Sequence, residues 1–322
     1  MRIVVTGALG HIGSRLIRSL PTSSPQAEIV LVDNLSTQRY PSLFDLPPNG
    51  RFRFVEADIL TADLDALLDG ADLVIHLAAI TNAESSFEIQ EEVERVNLHG
   101  TERVARACIR AGAGIVFLST TSVYGTQAGT VDEECPVEEL RPQSPYASSK
   151  LHAERLLESL ARDGLRSVTF RFGTIVGPSP GMRFHTAVNK FCWQAVLGEP
   201  LTVWRTALHQ RRPYLDLSDG IRAIEFILRR GLDGRLYNVL TVNASVAEIV
   251  AMVREVVPDV TVREVDSPLM NQLSYSVDDS RFRALGFEVR GDLRAAIAQT
   301  IGHLLAARSA SAPSNPIRST RA

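Results

Sequence analysis

Tyr146 and Lys150 are the two residues whose types and spacing most directly suggest catalysis, since four positions separate them in the run YASSK. On a helix, side chains four residues apart share one face, so the phenol and the ammonium would be neighbours. A neighbouring cation lowers the pKa of a phenol from about 10, and the resulting phenolate can take a proton from a hydroxyl group. The chain has six tyrosines and lysines only at positions 150 and 190, so this spacing arises by chance in about 4% of such sequences. We therefore predict that the pair acts in general base catalysis.

A second group of polar side chains, the four hydroxyls of Ser119–Ser122, follows the apolar run Gly114–Leu118. If that run is a strand of a parallel sheet, the hydroxyls lie at its carboxyl end, where open α/β sheets bind their ligands. We predict that one of them shares the proton of the substrate with Tyr146. The alternative is that they only satisfy polar groups at the end of the strand.

Glycines at positions 7, 10 and 13 form a GxxGxxG turn between the apolar run Arg2–Thr6 and an amphipathic segment that begins near Ile12. Glycine permits the tight turn and lets a pyrophosphate approach a helix N-terminus, which favours negative charge. Asp33 ends the next apolar run, twenty residues beyond Gly13, where a carboxylate binds the ribose hydroxyls of adenosine. A carboxylate there repels a 2′-phosphate, so NAD is favoured over NADP. Asp58 ends the third run and could contact the adenine, although both acids could also be plain caps of strand ends.

The elements that must position these side chains are short apolar runs that alternate with helical patterns over residues 1–175. Strands that are continuously apolar are expected when helices cover both faces of a sheet. The pattern therefore predicts an α/β fold with a doubly wound parallel sheet. The predicted strands are Arg2–Thr6, Glu28–Val32, Arg51–Glu56, Leu73–Leu77, Gly114–Leu118 and Ser167–Phe172, and the predicted helices are Ile12–Leu20, Phe87–Ala111 and Pro145–Ala161.

The alternation ends after Gly177-Pro178, where short strands and helices mix irregularly. We expect residues 176–211 and 241–307 to form a smaller α+β cap that binds substrate, and residues 212–240 to return to the first domain. Residues 308–322 are rich in Ser, Ala, Pro and Arg without apolar periodicity, which predicts a disordered tail. The predicted elements of this half are helices at Thr186–Val196, Asp219–Arg230 and Val246–Val256, and strands at Leu201–Trp204 and Arg235–Leu240.

The composition of the 322-residue chain excludes several classes of protein. With 34 basic and 37 acidic side chains, its net charge of −3 argues against a chain-wide basic surface that would bind nucleic acid or a membrane. No apolar run is long enough to cross a bilayer, and the strand-like start after Met1 predicts no signal peptide. Three widely spaced cysteines without a CxxC pair predict neither disulfides nor a zinc site, and we expect no metal. These features predict a cytoplasmic enzyme.

Nine motifs of the chain occur together in one protein family. They are TGALGHIG (6–13), VDNLS (32–36), Asp58-Ile59, HLAA (76–79), VNLHGT (96–101), STTSVYG (119–125), SPYASSK (144–150), RFGTIVGP (171–178) and QRRPYLDLSD (210–219). Over about residues 1–306 the chain resembles the extended short-chain dehydrogenases/reductases of the NAD-dependent sugar-nucleotide epimerase/dehydratase family. The resemblance is nearest in pattern to UDP-hexose 4-epimerases. It implies a Rossmann-type fold, NAD as cofactor and a nucleoside-diphosphate sugar as substrate, most simply a UDP-sugar.

The resemblance also assigns roles, residue by residue. It implies a catalytic triad of Thr120, Tyr146 and Lys150, and it places Arg212 at the pyrophosphate of the substrate, a role that suits a planar charged fork. The NAD site it implies consists of Gly7, Gly10, His11, Ile12, Gly13, Asp33, Asn34, Ser36, Asp58, Ile59, Leu77, Ala78, Ala79, Asn97 and Phe172, together with Tyr146 and Lys150. The substrate contacts it implies are Thr81, Thr121, Ser122, Thr174, Arg183, Asn189 and Arg212.

Three departures from the family pattern leave the identity of the sugar and base open. Thr174 stands where the family has a substrate-binding Asn, and Arg212-Pro213-Tyr214 replaces the usual RDF. The late arginine that often completes the pyrophosphate site is missing near Met270-Asn271-Gln272. Residues 183–190, which include an arginine, a histidine and a lysine, could replace these contacts.

The pair Thr121-Ser122 bears on the reaction, because the family's 4,6-dehydratases have Asp-Glu there to eliminate water across C5 and C6. Without an acid or base at either position, we expect C4 epimerisation through a transient 4-keto sugar. A dehydratase, decarboxylase or 3,5-epimerase that uses another residue stays open, as does a net NAD(P)-linked keto-sugar reductase. A catalytically silent NAD(H)-binding regulator is the alternative from another class. The resemblance further implies a homodimer formed through the helices that begin near Phe87 and Pro145.

Overall fold

The computed structural model describes residues 1–266 and 274–310, with side chains described through residue 308. The segment Met270-Asn271-Gln272, where the late arginine is missing, and the predicted tail beyond residue 310 lie outside the described residues. The last described helix extends to Ala310, so residues 308–310 are helical although the predicted tail begins at 308. The alanine-rich end of that helix explains the difference, because alanine has the highest helix propensity.

The strands and helices follow the alternation expected over the first half of the chain, and all six strands predicted there are present. The sequence does not anticipate the short helix after the third strand, the strands Thr130–Val131, Thr174–Val176, Arg211–Asp216 and Val242–Ser245, or any described element beyond residue 257. The strands are β1 Arg2–Thr6, β2 Glu28–Asp33, β3 Arg51–Glu56, β4 Leu73–His76, β5 Gly114–Thr120, β6 Thr130–Val131, β7 Ser167–Phe172, β8 Thr174–Val176, β9 Leu201–Trp204, β10 Arg211–Asp216, β11 Leu236–Val239, β12 Val242–Ser245, β13 Val262–Val265 and β14 Ser276–Val277. The helices are α1 His11–Ser23, α2 Leu64–Leu68, α3 Gln90–Glu94, α4 Gly100–Ala111, α5 Pro145–Leu160, α6 Ala187–Leu197, α7 Leu217–Arg230, α8 Val246–Val256, α9 Ser280–Arg283 and α10 Leu293–Ala310.

Seven parallel strands form the main sheet in the order β11-β7-β5-β4-β1-β2-β3. The chain runs outward from β1 through β2 to β3 and then crosses back to β4, so the strand order reverses between β1 and β4. Open α/β sheets bind ligands outside the carboxyl ends of the strands at such a switch point. The Rossmann-type, doubly wound fold predicted from the sequence is confirmed.

Helices cover both faces of this sheet, which explains why its central strands are continuously apolar. Ile3, Leu16 and Ile224 are fully buried on the face covered by α1 and α7. Val4 and Leu157 are buried on the other face, which α2, α4 and α5 cover. Burial of one large apolar side chain contributes about 1.5–3 kcal/mol, so the two layers hold the strand ends in a fixed arrangement.

From β8 onward the chain builds smaller sheets beside the carboxyl edge of the main one. Strands β8, β10 and β12 form one, and β9 pairs with β13. Helices α6, α8 and α10 pack around a separate apolar cluster that contains Val188, Ile249 and Ile297. None of the described helices combines the length and apolarity needed to cross a bilayer.

Candidate active site

A cavity of about 520 Å³ lies at the carboxyl ends of the central strands and extends to β9, β10 and α6. Its position agrees with the switch point of the sheet. Three predicted site residues, Asn97, Thr121 and Asn189, are absent from its described wall. The predicted residues that do line it are Gly7, Gly10, His11, Ile12, Gly13, Asp33, Asn34, Ser36, Asp58, Ile59, Leu77, Ala78, Ala79, Thr81, Thr120, Ser122, Tyr146, Lys150, Phe172, Thr174, Arg183 and Arg212.

The turn between β1 and α1 leaves no room for a side chain at Gly7 or Gly13. Gly7 has a φ of +65°, and a Cβ there would lie 2.6 Å from the backbone nitrogen of Ala78. A Cβ on Gly13 would lie 2.5 Å from the carbonyl oxygen of Gly7 and 2.6 Å from that of Ala8. The bare backbone therefore forms a shallow cradle at the N-terminus of α1, which fits the pyrophosphate of a dinucleotide.

Two carboxylates are fixed at the ends of β2 and β3. Asp33 accepts hydrogen bonds from the backbone amides of Leu9 at 3.1 Å and Leu35 at 3.0 Å, so it also ties the glycine turn to the loop after β2. Asp58 accepts a hydrogen bond from the side-chain amide of Asn34 at 3.0 Å. Both lie on the cavity wall, where they can accept hydrogen bonds from ribose hydroxyls and the adenine edge and would repel a 2′-phosphate.

The loop after β8 is bonded to the same turn. The His11 ring nitrogen Nε2 lies 2.8 Å from the Gly177 carbonyl oxygen, and the Ser179 hydroxyl donates to the His11 carbonyl at 2.8 Å. Arg183 follows this loop, and burial lowers its pKa while the Asp33 carboxylate raises it. Arg183, which the resemblance assigns to the substrate, therefore lies electrostatically close to the cofactor end of the cavity.

Tyr146 and Lys150 are placed by the first turns of α5. Ser144 caps this helix by accepting a hydrogen bond from the Ala147 amide at 3.2 Å, and Pro145 occupies its first turn. The Lys150 ammonium is buried and donates to the carbonyl oxygen of Leu118 at 2.8 Å. The Tyr146 phenol meets the hydroxyl of Thr120, at the end of β5. The structure thus brings the three residues of the predicted triad together.

Burial shifts the pKa values of both Tyr146 and Lys150. Burial raises the pKa of Tyr146 to about 12, and only the hydrogen bond with Thr120 opposes that rise. The Lys150 ammonium donates to the Leu118 carbonyl of β5. Burial also lowers the pKa of Lys150 to about 8, against the opposing effect of Glu154. Direct activation of the phenol by the ammonium stays a prediction.

The three predicted residues outside the cavity wall have internal partners. Asn97 is buried; its side-chain oxygen accepts from the Ile80 amide at 2.8 Å, and its amide donates to the Ile80 carbonyl and to Ser149. Asn189 is also buried and donates to the Arg183 carbonyl at 3.2 Å. Thr121 faces the Phe172 carbonyl at 3.4 Å. Each holds a wall segment in place and does not itself line the cavity.

Several residues on the wall or beside it were missed by sequence reasoning. Arg39 lines the cavity and donates to the Gly181 carbonyl at 2.8 Å, and its signal was its place in the loop that follows Asp33. Trp204 lines the substrate end, where the Arg212 guanidinium lies 5.8 Å from its ring centre. Tyr275 contacts Thr121 from a distant part of the chain, and no sequence signal pointed to it.

The charges on the wall suit two phosphate-bearing ligands side by side. Arg39 and Arg183 lie on the segments that meet the glycine turn, whereas Lys190 and Arg212 lie on α6 and β10. Arginine and lysine are the side chains that proteins use to bind phosphates. The Tyr146 phenol lines the same cavity and can exchange a proton with a hydroxyl group held against it.

Known proteins share these features. Residues 3–239 match the model of the NAD dependent epimerase/dehydratase family. The chain is 33% identical over 267 residues to an uncharacterised UDP-glucose epimerase of Bacillus subtilis (strain 168), YtcB, across 80% of this chain and 82% of the relative. It is 30% identical over 301 residues to a trifunctional enzyme of Arabidopsis thaliana, RHM1, whose activities include a UDP-glucose 4,6-dehydratase; the match covers 89% of this chain and 44% of that one.

A solved structure is similar over nearly the full length. The UDP-glucuronic acid 4-epimerase from Bacillus cereus, in complex with UDP-glucuronic acid and NAD, superimposes with a TM-score of 0.84 at 27% identity. The superposition covers 94% of this chain and 99% of the epimerase.

Proposed function

Because the chain belongs to the NAD dependent epimerase/dehydratase family, we propose that it binds NAD and inverts the configuration at C4 of a nucleoside-diphosphate hexose. The reaction passes through a 4-keto sugar and is redox-neutral, so the cofactor is expected to stay bound between turnovers. The glycine cradle, the carboxylates of Asp33 and Asp58, and the likeness to an NAD-bound 4-epimerase support this proposal.

The observation that favours epimerisation over dehydration is the pair Thr121-Ser122 directly after Thr120. The family's 4,6-dehydratases have an acidic pair there. Ser122 lines the cavity and lies 3.1 Å from the Thr120 hydroxyl, whereas Thr121 is buried beside Phe172. Neither side chain ionises near neutral pH, so this position supplies no general acid or base for the elimination of water.

Other carboxylates of the described wall are poorly suited to replace that pair. Asp33 and Asp58 are engaged at the cofactor end, and Glu92 forms an ion pair with Arg95 at 2.7 Å. Glu84 is exposed at the mouth of the cavity. We expect Glu84→Gln to retain epimerase activity; loss of activity, together with a deoxy-sugar product in the wild type, would favour the dehydratase alternative.

Proton transfer is the task of the chain's own residues. Tyr146 accepts the proton of the O4 hydroxyl as the ketone forms, and it returns the proton when the ketone is reduced on the opposite face. Thr120 holds the phenol by a hydrogen bond. Lys150 places a positive charge against the Leu118 carbonyl, near the carboxyl end of β5. NAD held by the glycine turn and Asp33 would supply reversible hydride transfer at C4, and the positive charge of its oxidised ring would favour the phenolate that burial alone disfavours.

The substrate end is proposed to bind a UDP-sugar. Arg212, backed by the Trp204 ring, and Lys190 supply cations for the pyrophosphate. Thr174, in place of the family's Asn, presents a hydroxyl on the wall near the sugar. The relatives that support this choice are named as a UDP-glucose epimerase and a UDP-glucuronic acid 4-epimerase.

Two measurements test the proposal. Mass spectrometry of small molecules released from the denatured protein should detect NAD. Incubation of the purified protein with UDP-glucose, UDP-N-acetylglucosamine and UDP-glucuronic acid, analysed by NMR, should convert at least one into its C4 epimer. A 4-keto-6-deoxy product would instead support dehydration, and stoichiometric NADH formation or consumption would support a reductase. Bound NAD with no turnover of any nucleotide sugar would favour the silent regulator.

The cellular compartment and the oligomeric state of the enzyme are also proposals. We propose a cytoplasmic homodimer whose interface is formed by α4 and α5, which pack against each other in the protomer. Three free thiols, Cys108, Cys135 and Cys192, suit a reducing compartment. Light scattering coupled to size-exclusion chromatography should give twice the mass of the 35.3 kDa chain; a monomer mass would contradict the dimer.

A further inference from the structure

Residues 177–181 form a strap that follows β8 and is bonded to the start of α1. The Gly177 carbonyl can only accept, so the His11 ring nitrogen Nε2 donates to it across 2.8 Å. The Ser179 hydroxyl donates to the His11 carbonyl oxygen at 2.8 Å, and the Gly181 amide donates to the Ser14 hydroxyl at 2.9 Å. Every second residue of the strap is therefore bonded to the first turn of α1.

Gly181 is where the strap comes closest to the glycine turn. A Cβ at this position would overlap the carbonyl oxygen of Leu9, and it would lie 2.6 Å from the carbonyl oxygen of Gly10. Both are backbone atoms, so no side chain can rotate away. Gly181 does not have the left-handed backbone conformation, so close contact, and not its φ, requires a glycine here.

A third segment of the chain holds the strap and the turn together. Arg39, in the loop after β2, donates from its guanidinium to the Gly181 carbonyl oxygen at 2.8 Å. Ser42, in the same loop, donates to the Leu9 carbonyl oxygen at 3.0 Å. The Leu9 amide donates to the Asp33 carboxylate at 3.1 Å. The glycine turn is thus fixed between the loop after β2 on one side and the strap on the other.

The strap contacts the turn on its carbonyl side. The carbonyl oxygens of Leu9 and Gly10 are the atoms nearest to the Cβ position of Gly181, so they face the strap. In a trans peptide the N–H points opposite to the carbonyl, so the amides of Gly10 and His11 point away from it. The His11 amide is the first of α1 and has no partner within the helix, and such amides bind phosphates. Residues 177–181 are absent from the described wall of the cavity, so the strap leaves the cofactor space open.

We propose that the strap positions the cofactor site: its contacts through Gly181 and Ser14 hold the glycine turn in the conformation that binds the pyrophosphate of NAD. A turn that is already ordered needs less reorganisation on binding, so the strap makes NAD binding tighter and NAD release slower. A redox-neutral cycle needs a cofactor that is retained between turnovers. The proposal rests on NAD binding, the first part of the proposed function, and not on the reaction at C4.

The test is the rate at which bound NAD leaves the folded protein, measured by exchange of NAD-loaded protein against isotopically labelled NAD. Gly181→Ala should raise this rate at least about tenfold, because the added Cβ forces the strap and the turn apart. Ser14→Ala should raise it about fivefold, because it leaves the Gly181 amide without its acceptor.

Each variant has a matched control. Gly129→Ala makes the same change at a position with no atom within 4 Å of its Cβ, outside the described cavity wall. Ser19→Ala removes a hydroxyl from the same helix as Ser14, but that hydroxyl bonds the Leu16 carbonyl within the helix. Both controls should exchange NAD at the wild-type rate. Controls that release NAD as fast as Gly181→Ala and Ser14→Ala would overturn the proposal.

Two further readouts separate positioning of the cofactor site from a merely structural role. Urea unfolding of the cofactor-free variants gives their stability, and a less stable Gly181→Ala protein that exchanges NAD at the wild-type rate would overturn the proposal. Gly181→Ala and Ser14→Ala break the same contact, so the double variant should release NAD little faster than Gly181→Ala alone. Fully multiplicative effects would contradict a shared contact. If Gly181→Ala does not fold, Ser14→Ala and Ser179→Ala remove two bonds of the strap without a clash, and wild-type exchange in both would overturn the proposal.

Failure of this proposal is distinguishable from failure of the proposed function. A wild type that retains NAD beside variants that retain it equally well refutes only the role of the strap. A wild type that retains NAD but converts no nucleotide sugar, beside variants that lose NAD, refutes the reaction at C4 and supports the strap. A wild type that binds no NAD refutes both.

Discussion

Gly13→Ala is the sharpest perturbation of the proposed cofactor site, because the structure gives the clash atom by atom. The added Cβ would lie 2.5 Å from the Gly7 carbonyl oxygen, 2.6 Å from the Ala8 carbonyl oxygen and 2.8 Å from the Ala8 carbonyl carbon. All three are backbone atoms, so no side chain can rotate away. Ordinary contact distances near 3.4–4 Å require the turn to open by about 0.6–0.9 Å.

The cost of that movement can be estimated from overpacking in protein interiors, which is typically about 1–3 kcal/mol. If the turn keeps its conformation despite the clash, the free energy of unfolding of the cofactor-free protein falls by about that amount. If the turn opens instead, NAD binding is weakened, and about 3 kcal/mol corresponds to an affinity for NAD lower by about 100-fold. Gly129→Ala is the matched comparison, because Gly129 lies outside the cavity wall and no atom lies within 4 Å of its Cβ position.

The assay is NAD content per protomer after gel filtration, followed by calorimetric titration with NAD and urea unfolding. We expect wild type and Gly129→Ala to retain NAD, and Gly13→Ala to lose most of its cofactor. Gly13→Ala protein that purifies with full NAD and normal stability would refute the placement of the pyrophosphate at this turn.

Three further predictions follow from other parts of the structure. Lys150→Arg should nearly abolish kcat although charge is kept, because a guanidinium cannot take the compact position of the ammonium against the Leu118 carbonyl; wild-type turnover with NAD bound would refute the catalytic assignment. His76 is buried between Thr6 and Thr101, and burial lowers its pKa to about 3. The unfolded imidazole binds a proton below about pH 6.5, so its contribution to stability is present at pH 8 and about 2 kcal/mol of it is lost by pH 5. Urea unfolding at both pH values should show this loss, and His76→Asn should reduce it; an equal loss in the variant would contradict the argument. Gly302→Ala should raise the free energy of unfolding by about 0.5–1 kcal/mol, because Gly302 is exposed within α10 with no atom within 4 Å of its Cβ position; a lower denaturation midpoint would contradict this.

The fold was largely predictable because its signals are local. Each parallel strand is a short apolar run, and helices covering both faces leave that run uninterrupted. The helix predicted over residues 87–111 shows the limit of what local signals can predict. It begins at Gln90 and contains a π-helical turn at Arg95–His99, where the Asn97 side chain bonds the Ile80 backbone. That partner lies outside the helix, so helical periodicity could not reveal the irregularity.

The candidate site was predictable where chemistry depends on spacing within one element. Gly7 and Gly13 surround one turn, and Tyr146 and Lys150 share one helix. What spacing could not give is the effect of packing between elements. The pKa of Tyr146 is raised because the surrounding protein buries it, and Tyr275 reaches the site from a segment more than a hundred positions later in the chain.

The central claim is that this chain moves hydrogen from C4 of a nucleotide sugar and returns it to the opposite face within one active site. The most direct measurement uses UDP-glucose or UDP-glucuronic acid labelled with deuterium at C4, NAD-loaded protein and no added cofactor, with the products followed by NMR and mass spectrometry. The account predicts a C4 epimer that keeps its deuterium, no net NADH, and no product with Tyr146→Phe. Loss of the label to solvent, a product deoxygenated at C6, or full activity of Tyr146→Phe would contradict it.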